Sequence, residues 1–466
     1  LTSFTQLGVP ARLAAVLTDL GFSTPTPIQQ ATLPDSFAGR DVLGRGRTGS
    51  GKTLAFLLPL VARLEGGRAR PGAPRAVILA PTRELVAQID EALQPLARAA
   101  RLTSRTVFGG VGQGPQVAAI KRGVDILVAC PGRLEDLIEQ GHCSLSRVEI
   151  TVLDEADHMA DLGFLPGVRR LLSRTPASGQ RMLFSATLDK AIDSLVRQFL
   201  TDPRVHQADS AQSPVATMTH HVLHLARETR LPVLVDLTSA PGRTVVFTRT
   251  KHGAKALAKQ LNRNGVPAVE LHGNLSQNAR TRNLDAFHSG RATALVATDI
   301  AARGIHVDDV ALVVHADPPV DHKAYLHRSG RTARAGNAGT VVTLAMADQV
   351  QEVRRLTRAA GIRPTTTAVS SAADAVLSEV APGARVIAGP EAVAALNGPA
   401  PDTGSRTSGA QGSDRPGGRR SGGPGRRPRR RGGSGGQSRR GGSGGRQSTA
   451  GSSRSHSAAA FSAGRR

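Results

Sequence analysis

The run Gly46-Arg47-Thr48-Gly49-Ser50-Gly51-Lys52-Thr53 constrains this 466-residue chain more than any other. Val42-Leu43 before it end an apolar stretch suited to a buried strand, and Leu54-Ala55-Phe56-Leu57-Leu58 after it begin a helical pattern. Glycines 46, 49 and 51 let the backbone turn tightly and approach phosphate oxygens without Cβ clashes. The helix that follows points unpaired N–H groups and its positive dipole end at an anion. At this spacing Lys52 reaches the β- and γ-phosphates and the Thr53 hydroxyl ligates Mg²⁺. The chain must therefore supply a strand–loop–helix unit, and the ligand it implies is a nucleoside triphosphate.

A second cluster fits the same chemistry. Val148-Glu149-Ile150-Thr151-Val152-Leu153 is mostly apolar and strand-like, and Asp154-Glu155-Ala156-Asp157 follows at its C-terminal end. Ligands bind at that end of the strands in open α/β sheets. Asp154 is placed to hold Mg²⁺ through water, and Glu155 to orient or deprotonate an attacking water.

Short β-branched runs alternate with helical patterns from about residue 30 to 200. Ala76–Ala80, Asp125–Ala129 and Arg181–Phe184 read as buried parallel strands, and Arg83–Ala99 and Asp189–Leu200 as helices. Asp-Pro and Ser-Pro dipeptides then mark a linker, placed at 206–219. The alternation resumes with strand-like Thr244–Phe247, Ala268–Leu271, Ala294–Ala297, Ala311–His315 and Thr340–Leu344. Lys251–Arg263 and Gln277–His288 are helix-like between them. The fold class expected is α/β, two tandem parallel-sheet domains over 1–205 and 220–362. An Ala-rich segment of uncertain order spans 363–400, and a Gly/Arg/Ser-rich tail, 401–466, is expected to be disordered.

The net charge is +24, and the tail alone carries 15 arginines and no lysine against Asp402 and Asp414. That tail accounts for +13 of the total, and the remainder is still basic, which favours a nucleic-acid partner over a membrane. Only Cys130 and Cys143 are present, so neither a disulfide framework nor a zinc site is expected. No apolar run approaches the roughly 18 residues needed to span a bilayer, and a cytoplasmic monomer is the expectation.

Taken together, the motifs resemble the DEAD-box family of ATP-dependent RNA helicases over roughly residues 3–360, and the family's fold implies RecA-like domains. Gly21-Phe22 and Pro25-Thr26-Pro27-Ile28-Gln29 resemble the family's adenine-selecting motif, in which Gln29 reads the base and Phe4 stacks on it. Pro81-Thr82-Arg83-Glu84-Leu85, Gly109-Gly110 and Pro131-Gly132-Arg133 resemble RNA-backbone motifs. Cys130 stands where the family commonly has Thr, which puts one hydrogen bond in doubt. Ser185-Ala186-Thr187 resembles the coupling motif that bridges to Asp157.

In the second domain, Val246–Thr250, and His272-Gly273 with Gln277 and Arg280, resemble further RNA-contact and domain-interface motifs. The stretch from Thr298-Asp299 to Arg303-Gly304 resembles a motif touching both RNA and nucleotide, with Thr298 toward RNA and Asp299 and Gly304 toward nucleotide. His306 stands where an acidic residue is usual, and Asp308 or Asp309 is expected to compensate, or ribose contact to weaken. His327 to Arg334 resembles the arginine-finger motif, with His327 in coupling, Arg331 and Arg334 on the γ-phosphate, and Arg328, Arg331 and Arg334 expected on one side of a helical turn.

The resemblance implies RNA-stimulated ATP hydrolysis with ATP and Mg²⁺ as cofactors and local unwinding of RNA duplexes. Arg431-Gly432-Gly433 and Arg440-Gly441-Gly442 resemble RNA-tethering segments. The short basic tail resembles that of the bacterial RhlE-like subgroup, and ribosome assembly and RNA decay are compatible settings. Two rivals stand beside this reading: a DNA-translocating helicase, and an RNA chaperone or clamp whose tail anneals strands without turnover.

Overall fold

The computed structural model describes residues 2–46, 49–207, 218–302, 310–333 and 338–396. Residues 1–401 form one compact unit holding two seven-stranded sheets, in which every paired strand is parallel. The first contains β1 (Val42–Arg45), β2 (Ala76–Leu79), β3 (Ser104–Val107), β4 (Ile126–Ala129), β5 (Ile150–Leu153), β6 (Gln180–Ser185) and β7 (Arg204–Gln207). The second contains β8 (Met218–Leu225), β9 (Arg243–Phe247), β10 (Ala268–Leu271), β11 (Ala294–Ala297), β12 (Val310–His315), β13 (Gly339–Ala345) and β14 (Thr365–Val369).

The two sheets repeat one topology. The first runs β3-β4-β2-β5-β6-β1-β7 and the second β10-β11-β9-β12-β13-β8-β14, the same order with each strand displaced by one lobe. The first strand of each lobe is therefore flanked by the last two. The repeat explains β14, which falls within the Ala-rich stretch. Its Thr-Thr-Thr-Ala-Val lies along β8 as the edge strand that β7 is along β1. The expected linker is shorter than its composition suggested: β7 continues to Gln207 and β8 starts at Met218, while 208–217 lie outside the described residues.

Apolar residues cover both faces of each sheet, as parallel sheets require. In the first lobe Phe56, Leu57 and Val86 pack with Ile78, Val128 and Phe184 on one face, and Leu134, Leu171 and Leu195 with Leu79, Leu127 and Leu183 on the other. The rings of Phe56 and Phe184 meet at 5.4 Å between centroids. Gly44 on β1 lies opposite Phe184 on β6, and a Cβ there would come within 2.5 Å of that ring, so only glycine lets the two strands close. No helix among the described residues is long and apolar enough to cross a membrane.

Candidate nucleotide and nucleic-acid site

The phosphate-loop residues form where β1 ends. The Gly46 N–H donates to the Ser185 carbonyl of β6 (3.1 Å), and the helix Lys52–Leu64 starts directly after Gly51. Gly49 and Gly51 have φ of +86° and +92°. Gly51 is also pressed against the adenine-motif segment: a Cβ there would come within 2.6 Å of both Gln29 Nε2 and Thr26 Oγ1. Lys52 Nζ donates to the Gly46 carbonyl at 2.7 Å, across the loop that it closes. Arg47 and Thr48 lie outside the described residues.

Gln29 is placed differently from a surface base reader. It is 2% exposed, its Nε2 donates to the Gly51 carbonyl (2.9 Å), and its Oε1 accepts from the Thr26 N–H (2.9 Å). The amide thus braces the phosphate loop with its nitrogen and caps its own helix with its oxygen, each with capacity for one more hydrogen bond. Phe4 is 5% exposed and belongs to the core with Val9, Leu13 and Leu33, so little of its ring is open to a base. Stacking of Phe4 on a base, as expected from the resemblance, would need that packing to loosen.

The acidic cluster follows β5. Asp154 is buried, its N–H donates to the Leu79 carbonyl (2.9 Å), and its Oδ1 accepts from the Glu155 N–H (3.0 Å). Burial raises its acid group to about 6; Glu155 and Asp157 push the same way, while Lys52 opposes. A buried carboxyl that is this reluctant to ionise, among two more carboxylates, suits a site where a divalent cation supplies the missing positive charge. With the Thr53 hydroxyl one residue after Lys52, the donor set is the hard oxygen kind that Mg²⁺ takes. Glu155 sits in the left-handed region (φ +50°, ψ +53°), a backbone choice that concentrates at functional sites. Burial pushes Glu155 up, but His158 beside it and the charges of Lys52 and Arg331 outweigh this and hold it at about 2.

The coupling residues come together. Asp157 Oδ2 accepts from both the N–H (2.9 Å) and the hydroxyl (3.0 Å) of Thr187, and the Asp157 N–H donates to Ser185 Oγ (3.3 Å). Ser185 in turn donates to the Thr187 carbonyl (2.7 Å). The acidic cluster after β5 is thereby tied to the turn after β6.

Arg328 and Arg331 do not share one helical face. The helix His322–Ser329 ends before Arg331, and Ala333 has φ of +53°. Arg328 is 1% exposed and structural: it donates to both carboxylate oxygens of Asp299 (2.5 and 2.8 Å), to the Asp317 carbonyl (2.7 Å), and lies 5.1 Å over the Phe247 ring. Asp299, expected at the nucleotide, is thus held by Arg328. Arg331 breaks away in the turn, its Nε donating to the His327 carbonyl (3.3 Å), and its charge acts on Glu155 of the first lobe. Arg334, Arg303, Gly304, His306, Asp308 and Asp309 lie outside the described residues, as does everything from residue 397.

The candidate RNA-contact residues occupy the other half of each sheet. Pro81–Arg83 follow β2, Gly109-Gly110 follow β3 and Pro131–Arg133 follow β4, three adjacent strands at one end of the order. Gly273 follows β10 and Thr298 follows β11 at the matching positions of the second sheet, with Thr248–Thr250 after β9 between them and the middle. The nucleotide candidates follow β1, β5 and β6. The first sheet thus separates the two ligand sets along its width, while in the second Thr298 and Asp299 both follow β11. Cys130 and Thr298 hold equivalent places, with Cys130 N–H on the Val107 carbonyl and Thr298 N–H on that of Leu271. The Cys130 thiol is pushed to about 12 by burial and the nearby Glu84, so it is an inert core-facing group.

Gln277 and Arg280, whose motif was expected at RNA and at the domain interface, stand at the lobe interface. Arg280, 8% exposed, donates from Nε to Glu84 Oε1 (2.7 Å) and further from its two Nη atoms to the His272 and Ala301 carbonyls (3.3 and 3.4 Å), so each of its nitrogens is engaged inside the protein. Gln277 accepts from Arg83 Nη1 (3.1 Å) and donates to Glu84 Oε1 (3.1 Å). Burial would raise the Glu84 carboxyl, but Arg280 more than offsets it and leaves it below the ordinary range. Lys323 adds a second bridge, to Asp189 at 3.2 Å. Neither Glu84 nor Lys323–Asp189 stood out as a site residue in the sequence; Glu84 lay inside a recognised motif, and the other pair had no local signal.

With this geometry in place, comparison with known proteins is decisive. The DEAD/DEAH box helicase model matches residues 26–195, and the helicase conserved C-terminal domain model matches 227–336. The chain belongs to the DEAD/DEAH box helicase family. It is 38% identical over 362 residues to DEAD-box ATP-dependent RNA helicase 30 of Arabidopsis thaliana, covering 76% of this chain and 61% of that protein. It is 35% identical over 364 residues to ATP-dependent RNA helicase DBP2 of Chaetomium thermophilum, covering 76% and 66%. The chain thus spans less than two-thirds of the length of these relatives. Among solved structures it is similar to S. cerevisiae Dbp5 bound to RNA and ADP BeF3, with a TM-score of 0.72, 27% identity, and 82% and 100% of the two chains covered. This DEAD/DEAH box chain extends past the second family match through β13 and β14.

Proposed function

We propose that this chain is an RNA-stimulated ATPase that couples hydrolysis to local, non-processive unwinding or remodelling of RNA. One observation carries the reading: the lobe that brings Arg331, and has no phosphate loop, is joined to the lobe that has one by Arg280 Nε on Glu84 Oε1 (2.7 Å) and Lys323 Nζ on Asp189 Oδ2 (3.2 Å). An arginine delivered across an interface stabilises charge on a transferring phosphoryl group only while the interface is closed. The solved Dbp5 complex with RNA and ADP BeF3 supports RNA as the ligand that goes with closure.

In this reading Lys52 leaves the Gly46 carbonyl for the β- and γ-phosphates, and the backbone from Arg47 to Thr53 cradles them. Gln29, fixed against Gly51, uses its remaining donor and acceptor on adenine. Mg²⁺, held by Thr53 and through water by Asp154, would neutralise phosphate charge. Glu155, kept ionised, is a poor proton sink and works by aligning the water for in-line attack. Asp157, Ser185 and Thr187 pass the change at β5 to β6. RNA lies across the β3-β4-β2 and β10-β11-β9 ends, held by Thr82, Arg83, Gly110, Arg133 and Thr298 through backbone contacts that favour no sequence. The RhlE-like placement belongs to the same proposal and rests on the composition of 401–466; ribosomal or RNA-decay assemblies, a monomeric working unit and cytoplasmic residence are proposed with it.

The test is steady-state ATPase with RNA, with DNA of the same sequence, and with neither. RNA should stimulate strongly and DNA should not. Equal stimulation by both would favour the DNA-translocating rival, and strand annealing that survives Lys52→Ala without turnover would favour the chaperone.

A further inference from the structure

We infer that His158 is a positioning residue for Glu155; this rests on the ATPase reading above. His158 lies on the short helix Ala156–Asp161, one turn after Glu155, and its Nδ1 is 3.1 Å from Glu155 Oε2. Both residues are buried. The left-handed backbone at Glu155 turns its side chain back over this first turn, where the residue three positions on can meet it.

The proton on the ring can be placed. Nε2 of His158 is buried and has no hydrogen-bond partner among the described residues. A proton there would leave a bare donor in the interior and set the Nδ1 lone pair against a carboxylate, both unfavourable. Nδ1 therefore carries the proton and donates to Oε2. This hydrogen bond restrains the last torsion of Glu155, so that the carboxylate presents one orientation to the attacking water. Positioning of this kind acts on turnover more than on substrate binding. Among the described residues the ring makes no side-chain hydrogen bond other than this one, so holding Glu155 is what its polar chemistry does here.

Three variants of the full chain test this. His158→Asn places an amide N–H where Nδ1 lies; His158→Leu fills similar volume without a donor; His158→Gln keeps polarity but carries its amide to the Nε2 position. We expect kcat for RNA-stimulated ATPase to fall about tenfold in the Leu and Gln variants and to stay within about threefold in Asn, with KM for ATP moving less than about twofold throughout. In a Glu155→Gln background, His158→Leu should change the residual rate by less than about twofold, because there is no carboxylate left to position. Wild-type kcat in both Leu and Gln, an Asn variant as impaired as they are, or an effect confined to KM would each overturn the inference. If the wild-type chain hydrolyses ATP but ignores RNA, the functional reading fails separately, and the same comparison is made on basal turnover.

Discussion

Removing the Glu84 carboxylate should weaken RNA-driven closure of the lobes without unfolding either. Glu84 Oε1 accepts a charge-assisted bond from Arg280 and a neutral one from Gln277, both across the interface, the first buried and the second half-buried. A hydrogen bond to a charged group contributes about 1.5–3 kcal/mol and a neutral one about 1 kcal/mol. Truncation of a permanently buried pair costs about 3–5 kcal/mol because the partner is stranded. Here the stranded Arg280 can rehydrate when the lobes part, so the penalty falls on closure alone. Glu84→Ala should therefore shift closure by about 3 kcal/mol, or a little over a hundredfold in the closed-to-open ratio. If RNA binding draws on that equilibrium, the RNA concentration for half-maximal ATPase rises by up to the same factor. Fluorescence transfer between dyes on the two lobes should show fewer closed molecules at equal RNA. Arg280→Met should do the same, and the double variant should be no worse than either alone, since the pair can be broken only once. RNA titrations within twofold of wild type for both variants, or effects that simply add, would refute the reasoning.

Other outcomes follow from the same geometry. Lys52→Ala should abolish nucleotide binding, measured with a fluorescent ATP analogue, whereas Glu155→Gln should bind it normally and lose turnover by at least about a hundredfold. Lys323→Glu should raise the RNA requirement by no more than about fivefold because the pair with Asp189 is partly exposed, and adding Asp189→Lys should restore it. His220 is held at about 4 by burial and the charge of His221, below its unfolded 6.5. That depressed value gives stability that is present above pH 6.5 and lost as pH falls toward 4, so His220 should lower the stability of the second lobe in urea unfolding by about 2 kcal/mol between pH 7 and 5. His315, held well below its ordinary value by burial, adds to the slope, and His220→Asn should reduce the slope without abolishing it. Deleting 401–466, which carries +13, should lower RNA affinity and its salt dependence while sparing ATPase at saturating RNA.

Much of this was legible in the sequence. The helices Arg83–Ala99 and Gln277–His288 occur with those ends, because their apolar spacing and Thr82 and Ser276 caps are local signals. Strands β2, β4 and β11 were plain because they are buried on both faces. Strands β3, β7 and β14 were not, since Ser-Arg-Thr-Val, Arg-Val-His-Gln and Thr-Thr-Thr-Ala-Val lie at sheet edges where polar side chains meet solvent. At the site, glycines and acids of fixed spacing announced themselves. What stayed hidden was anything defined by contact between distant segments: Glu84 on Arg280, Arg328 turned inward onto Asp299, and Gln29 spent on Gly51. His158 read as one more polar residue after an acidic run, because tautomer and burial have no linear signature.

The repeated strand order sets a timetable for synthesis. In each lobe the first strand made is flanked by the last two, so β1 waits unpaired until β6 and β7 exist, and β8 until β13 and β14. A chain emerging from the ribosome with its N-terminus first can build the β3-β4-β2-β5 part of the first sheet early. The strand that carries the phosphate loop is seated only when Gln180–Gln207 has been laid down. The nucleotide loop is thus among the last parts of its lobe to take shape, and a nascent chain cannot engage ATP before the sheet beneath the loop is whole.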